Sequence, residues 1–217
     1  ANAMSNPLAH MHKEFTFEHC STVSEMNPEI APPLRLTDCS LVTDGAAALI
    51  LTTDENAATF PKSVSMRAAE HVNDFLPMSR RDFLAFEGPE RAFAQAFKAA
   101  NFTLEDIDFA EVHDCFTIAE LLTYEAMGLA PKGQGSRALE DGTVYRGGAL
   151  PVNLSGGLKA KGHPVGATGV SMHALAFRQL TNQAGDLQVP GAELGLLFNM
   201  GGSAVANYVS VLEARKV

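Results

Sequence analysis

His113, Asp114 and Cys115 place an imidazole, a carboxylate and a thiol side by side in EVHDCFTIAELLTYEAMG, residues 111–128. A thiol beside a base is the smallest set that supports nucleophilic or acid/base chemistry, since the thiolate is the reactive form and imidazole titrates near neutrality. If a strand runs through this triplet, His113 and Cys115 share a face, and a helix opening just after them favours the thiolate through its unpaired N–H groups. On these residues alone a buried structural cysteine is the other reading. His163, in NLSGGLKAKGHPVGATG, is a second candidate. Pro164 biases His163 away from helical geometry, so its imidazole sits on a stiff turn; a solvent-facing loop histidine is the alternative. The glycine-rich turn before a helix can present amides to an anion, but it lacks both the Gly-Lys-Ser/Thr ending of a P-loop and GxGxxG spacing. Cys20 and Cys39 have no second cysteine at metal spacing, and His10, His12 and His19 lack a CxxC or HExxH pattern, so no metal site is expected.

The elements that must position these groups follow from periodicity. IDFAEV reads as a short strand leading into the triplet, and Thr117-Ile-Ala-Glu120 as a capping box opening a helix that Gly128 and Pro131 close. Residues 63–72 are strand-compatible. Gly88 to Ala100 has helical spacing, with Pro89 in its first turn. PVNLSGG reads as a strand, Val170 to Leu180 as a helix, and ELGLLFNMGG with SAVANYVSVLE as a strand hairpin. LVTDGAAALIL ends in a continuous apolar run, the pattern of a strand buried on both faces. Residues 1–33 read as irregular with one short helix, and Lys132 to Leu150 as a surface loop. The succession of strands and helices implies a mixed sheet covered by helices, an α/β layered fold.

Bulk composition narrows the function classes. The 217 residues carry a formal charge of -9 with no basic block, which argues against nucleic acid or an anionic membrane as the main partner. Three cysteines at irregular spacing argue for a reducing compartment rather than a disulfide framework. No apolar stretch is long enough for a membrane span. The start Ala-Asn-Ala before Met4 reads as an expression scar or a cut from a longer protein, and the ending Ala-Arg-Lys-Val is not a Ser-Lys-Leu address, which favours a cytoplasmic location.

Taken together and in order, DGAAALIL, HDCF, TYEAMGLAPKGQG, NLSGGLKAKGHPVGATG and a glycine-ended strand hairpin resemble the C-terminal half of the thiolase superfamily. HDCF is similar to the sterol carrier protein type, where other thiolases carry an NEAF-like motif. The resemblance implies an α/β, thiolase-like C-terminal domain at 57–217, a layered α-β-α unit with a mixed five-stranded sheet. Before it would come a loop-domain remnant at 1–33 and the last strand region of the N-terminal domain at 34–56.

It also implies roles. Thiolases pass an acyl group between coenzyme A and a cysteine and make or break a carbon–carbon bond beside a thioester carbonyl. His163 matches the histidine that binds the thioester oxygen and assists the nucleophile. His113 would contribute near the same oxyanion hole, Cys115 would be the acid/base for the α-carbon proton, and the Gly201 N–H would be an oxyanion donor. Where most thiolases have a C-x-G motif this chain has Asn199-Met200-Gly201, in keeping with Cys115 taking over, while Asp114 reads as a junction or capping residue. Neither Cys20 nor Cys39 matches the nucleophile's context, so the nucleophilic cysteine is expected outside these residues. Coenzyme A or acyl-CoA is the expected substrate, with no tightly bound cofactor, and Lys159, Lys161, Gly162 and Gly166 are the candidates to meet it. The resemblance further implies a homodimer and allows a small partner protein or hydratase-like subunit. Two rival readings stand: a steroid side-chain retro-aldolase of the same fold, whose members use tyrosine where His113 and His163 stand, and a non-catalytic acyl-CoA-binding subunit.

Overall fold

The computed structural model describes residues 2–7 and 9–215. In chain order the elements are α1 (Phe17–Ser21), β1 (Glu29–Ala31), β2 (Leu34–Arg35), α2 (Asp54–Ala57), β3 (Val64–Asn73), α3 (Glu87–Ala100), β4 (Phe109–Glu111), α4 (Thr117–Ala126), α5 (Arg137–Glu140), α6 (Gly157–Ala160), α7 (Thr168–Leu180), β5 (Leu194–Gly201) and β6 (Ala206–Ala214). The small β1–β2 ribbon stands apart from the main sheet, whose order is β3-β6-β5-β4. β6 pairs antiparallel with both β3 and β5, and β4 pairs parallel with β5, so the sheet is mixed.

Alternation along the strands assigns each residue to a layer. Leu196, Phe198, Val209 and Val211 face the side where α3 brings Ala92, Phe93 and Ala96, and the rings of Phe93 and Phe198 lie 5.0 Å apart. Leu197 and Leu212 face the opposite side, against Met172, Ala176 and Leu180 of α7. This is the expected α-β-α layering. Helix α3 ends at Asn101, whose φ of 58° lies in the left-handed region that asparagine tolerates. Gly195 is required where β5 passes Phe109, since a Cβ there would lie 2.4 Å from the ring's Cζ.

Four readings need correction. The fifth strand is reduced to one bridge, Ala110 with Val152, because Pro151 has no N–H to donate and Asn153, at φ 53°, turns the chain away. The run LVTDGAAALIL is not a strand: residues 41–53 carry no regular structure and no ladder partners among the described residues, and Val42, Ile50 and Leu51 are 89%, 87% and 79% exposed. The capping box does not form. Phe116, not Thr117, occupies the N-cap in extended geometry, while Thr117 Oγ1 donates to Asp38 and Glu120 turns inward to accept from the Tyr124 hydroxyl. Finally, Lys132 to Leu150 is more than a surface loop, since it contains α5 and buries Ala138, Val144 and Leu150. The reading of the carboxyl-terminal address falls on Lys216 and Val217, outside the described residues, as are Ala1 and Leu8. Among the described residues no helix is long and apolar enough to cross a membrane.

Candidate active site

Strand β4 delivers the chain to the triplet, where the Val112 N–H donates to Asn153 Oδ1 at 2.8 Å instead of continuing a ladder. The Asp114 N–H reaches back to the Val112 carbonyl in a tight turn about His113, and Phe116 is extended where the chain enters α4. The triplet is therefore a strand-to-helix junction, as its sequence suggests. Asp114 caps a neighbouring element and not its own helix: Oδ1 accepts from the Leu158 N–H at 2.7 Å, at the start of α6. Gly157 makes this approach feasible, because a Cβ there would stand 2.1 Å from Asp114 Oδ2, and its φ is +58°. Burial, reinforced by the Glu120 carboxyl, pushes the Asp114 acid well above the usual range. This tie joins the triplet to the segment that carries the second histidine.

His163 follows α6 on a tight turn. The Pro164 carbonyl accepts from the N–H groups of Ala167 and Thr168 and from the Thr168 hydroxyl, and that same hydroxyl is 2.7 Å from His163 Nδ1. His113 meets it edge-on, with ring centroids 5.1 Å apart and planes at 85°. The Nδ1 of His113 is hydrogen-bonded to Asn199 Oδ1. Each imidazole thus has its Nδ1 anchored, which leaves Nε2 as the nitrogen available to a ligand.

Both rings, Cys115 and Gly201 line one cavity of about 640 Å³. Phe83, Phe86, Phe116, Ile118 and Leu122 supply apolar walls, and Ser40 and Asn199 add polar groups. That volume suits a ligand of substantial size, with few polar groups to orient it.

The electrostatics favour neutral forms. Burial lowers His113 to about 4, with His163 and Lys161 adding to the effect against the opposing Asn199 bond. Burial and Lys161 also lower His163. Burial pushes the Cys115 thiol up to about 11, helped by the Asp114 carboxyl. The thiolate expected from a helix start does not hold, because Cys115 precedes the N-cap and desolvation outweighs the helix terminus. At neutral pH the cavity presents two uncharged imidazoles and a protonated thiol, a set able to give and take protons around a carbonyl.

The predicted substrate-contacting residues separate. Lys159 Nζ donates to the carbonyls of Leu36 and Cys39, at 3.0 and 2.6 Å, and does not line the histidines' cavity. Lys161 Nζ donates to Ser171 Oγ at 3.1 Å, and its charge is felt by both histidines and by buried Glu111. Gly162, at φ +116°, is packed beneath Thr43 and His10, whereas Gly166 opens onto a separate hollow formed with Thr43–Ala47. Among the described residues no group of histidine, cysteine and carboxylate side chains could hold a metal ion. Asn199 was legible only as the residue standing in for a cysteine, and Thr168 was not singled out. A lone polar residue inside the apolar run ELGLLFNMGG, and a threonine opening the helix after a GHP turn, are the signals that mark them.

Residues 69–214 match the family model described as thiolase C-terminal domain-like. An acetyl-CoA acetyltransferase of Methanothermobacter thermautotrophicus is 42% identical over 204 residues, covering 93% of this chain and 52% of that protein. Sterol carrier protein 2 of Oryctolagus cuniculus is 37% identical over 214 residues, covering 94% of this chain and 38% of that protein. The chain spans about half or less of the length of these relatives. Among solved structures, an Ltp2-ChsH2(DUF35) aldolase superposes with TM-score 0.83 at 20% identity, covering 100% of this chain and 56% of that one. A monomeric SCP2-thiolase like protein type 1 from Mycobacterium smegmatis gives 0.70 at 19%, covering 100% and 44%. Those two likenesses concern the fold alone; the family match and the identity to curated relatives show that the chain belongs to the thiolase family, by its C-terminal domain.

Proposed function

We propose that this chain is the C-terminal part of an acyltransferase of the sterol carrier protein type, which cleaves or forms 3-oxoacyl-CoA thioesters in lipid or sterol side-chain degradation. One observation carries this reading: His113, Cys115, His163 and Gly201 line a single apolar-walled cavity together with Asn199, the residue that by resemblance stands where most thiolases have a second cysteine. In this reading the Cys115 thiol gives its proton to the α-carbon in cleavage and takes it back as the thiolate in formation, while Nε2 of His163, unprotonated because Nδ1–H is held by Thr168, accepts the nucleophile's proton and then donates it to the thioester oxygen, with His113 beside it. The Gly201 N–H adds an oxyanion donor. The acyl-carrying nucleophile is a cysteine that these 217 residues do not supply, and coenzyme A is a substrate and not a resident group. A dimeric, cytoplasmic enzyme follows by the same resemblance. The retro-aldolase reading is disfavoured because histidines stand where it requires tyrosines.

The test is thiolysis of a series of 3-oxoacyl-CoA esters by the full-length protein. Cys115→Ala and His163→Ala should each lower kcat/KM by about 100-fold or more, the scale at which proton-transfer and oxyanion groups contribute. The 217-residue chain alone should show no turnover. Unchanged rates in both variants would remove the assignment.

A further inference from the structure

We propose that Lys159 is a positioning residue for Cys115, acting through the segment Leu36–Ser40. The lysine's ammonium is half buried, and it donates to two main-chain carbonyls of that segment, Leu36 and Cys39. A desolvated ammonium is costly unless its protons are taken up, so these two acceptors fix where the segment lies. From there the segment grips the junction at successive points. Cys39 forms an antiparallel bridge with Phe116, and the Ser40 N–H donates to the Cys115 carbonyl at 2.8 Å. Asp38 accepts from the Thr117 hydroxyl at 3.2 Å, while its other oxygen is held by the Arg35 side chain and N–H. Each residue from Cys115 to Thr117 is thus held from outside by a strap that Lys159 ties to α6, while the Asn27 side chain and the Pro28 carbonyl hold its Thr37 and Leu36 N–H groups. The strap also closes one wall of the cavity through Ser40, and so sets how deeply the thiol is buried. Asp114, on the same turn, anchors α6, the element that carries Lys159, so thiol and pin are tied to each other from both ends.

That this depth matters for acid/base work rests on the function proposed above. The positioning itself is tested without substrate or turnover. Alkylation of the Cys115-containing peptide by iodoacetamide, followed by mass spectrometry between pH 7 and 10.5, compares the chain with Lys159→Met, Lys159→Arg and Asp38→Asn. Thermal unfolding is recorded for each protein. Lys159→Met, which keeps the stem and removes the donors, should raise the Cys115 rate by about three- to fourfold at pH 9 and below, the consequence of a one-unit fall in thiol pKa offset by the lower nucleophilicity of the more acidic thiolate. Asp38→Asn should shift it in the same direction by less, and Lys159→Arg should stay close to the parent. A Lys159→Met protein that melts like the parent and alkylates Cys115 within twofold of it would overturn the proposal. If that variant fails to fold, Asp38→Asn decides: an unchanged Cys115 rate there would equally overturn it. Loss of thiolysis in the full-length enzyme bears on the function and leaves this measurement untouched.

Discussion

Two apolar runs of this chain look alike on paper and have opposite fates. LGLLF in β5 is buried throughout, with β4 on one side and β6 on the other; AAALIL at 46–51 lies outside any ladder and is largely exposed. Hydrophobicity and β-propensity do not separate them. Ladder partners do: a strand is stabilised by the cross-strand pairs it joins, and the run at 46–51 has no described strand beside it. Just before it, Gly45 passes close to Pro164, where a Cβ would come within 2.8 Å of the ring. Continuous apolarity in a sequence is therefore a statement about surface that wants covering, and carries no information about what covers it.

The largest effect expected from this contrast is at Phe198, which is fully buried between α3 and the sheet. Phe198→Ala should destabilise the chain by about 3–5 kcal/mol in urea unfolding, the usual result of emptying an aromatic site in a core. Next comes a test at the polar end of the same sheet. Folded His113 titrates near 4 against 6.5 when free, so between those values the unfolded chain binds more protons. Stability due to this group is present above about pH 6.5 and is lost as pH falls to about 4, by about 3 kcal/mol in all. His113→Gln should remove that part of the acid sensitivity, seen as a smaller drop in urea midpoint between pH 7 and 4.5. An undiminished drop would mean that other buried groups account for it. The smallest effect is at Ile50, where Ile50→Ser should change stability by no more than about 0.5 kcal/mol. A cost comparable to that of Phe198→Ala would abolish the distinction between the two runs.

What could be read in advance follows a physical divide. β3, α3 and α7 announce themselves by apolar residues at their own period, and the β5–β6 hairpin by two strand-length apolar runs joined at a glycine-rich turn. The polar groups that line the cavity were legible where residue types cluster in sequence, at His113 to Cys115 and at His163. Contacts between distant segments were not. Lys159 looked like a lysine that meets coenzyme A, yet its protons go to Leu36 and Cys39; Thr117 looked like a cap, yet Phe116, bridged to Cys39, stands at the N-cap. Even the charge state of Cys115 depended on burial that its neighbours in sequence do not reveal.

The Thr168 hydroxyl closes the turn at Pro164, begins α7 and touches His163 Nδ1. The imidazole is therefore geared to the helix: a small rotation of α7 over the sheet would swing the ring as a lever swings about its fulcrum. Substitutions that repack Met172 or Ala176, on the face that seats α7, would then be felt as misalignment at the cavity without touching it.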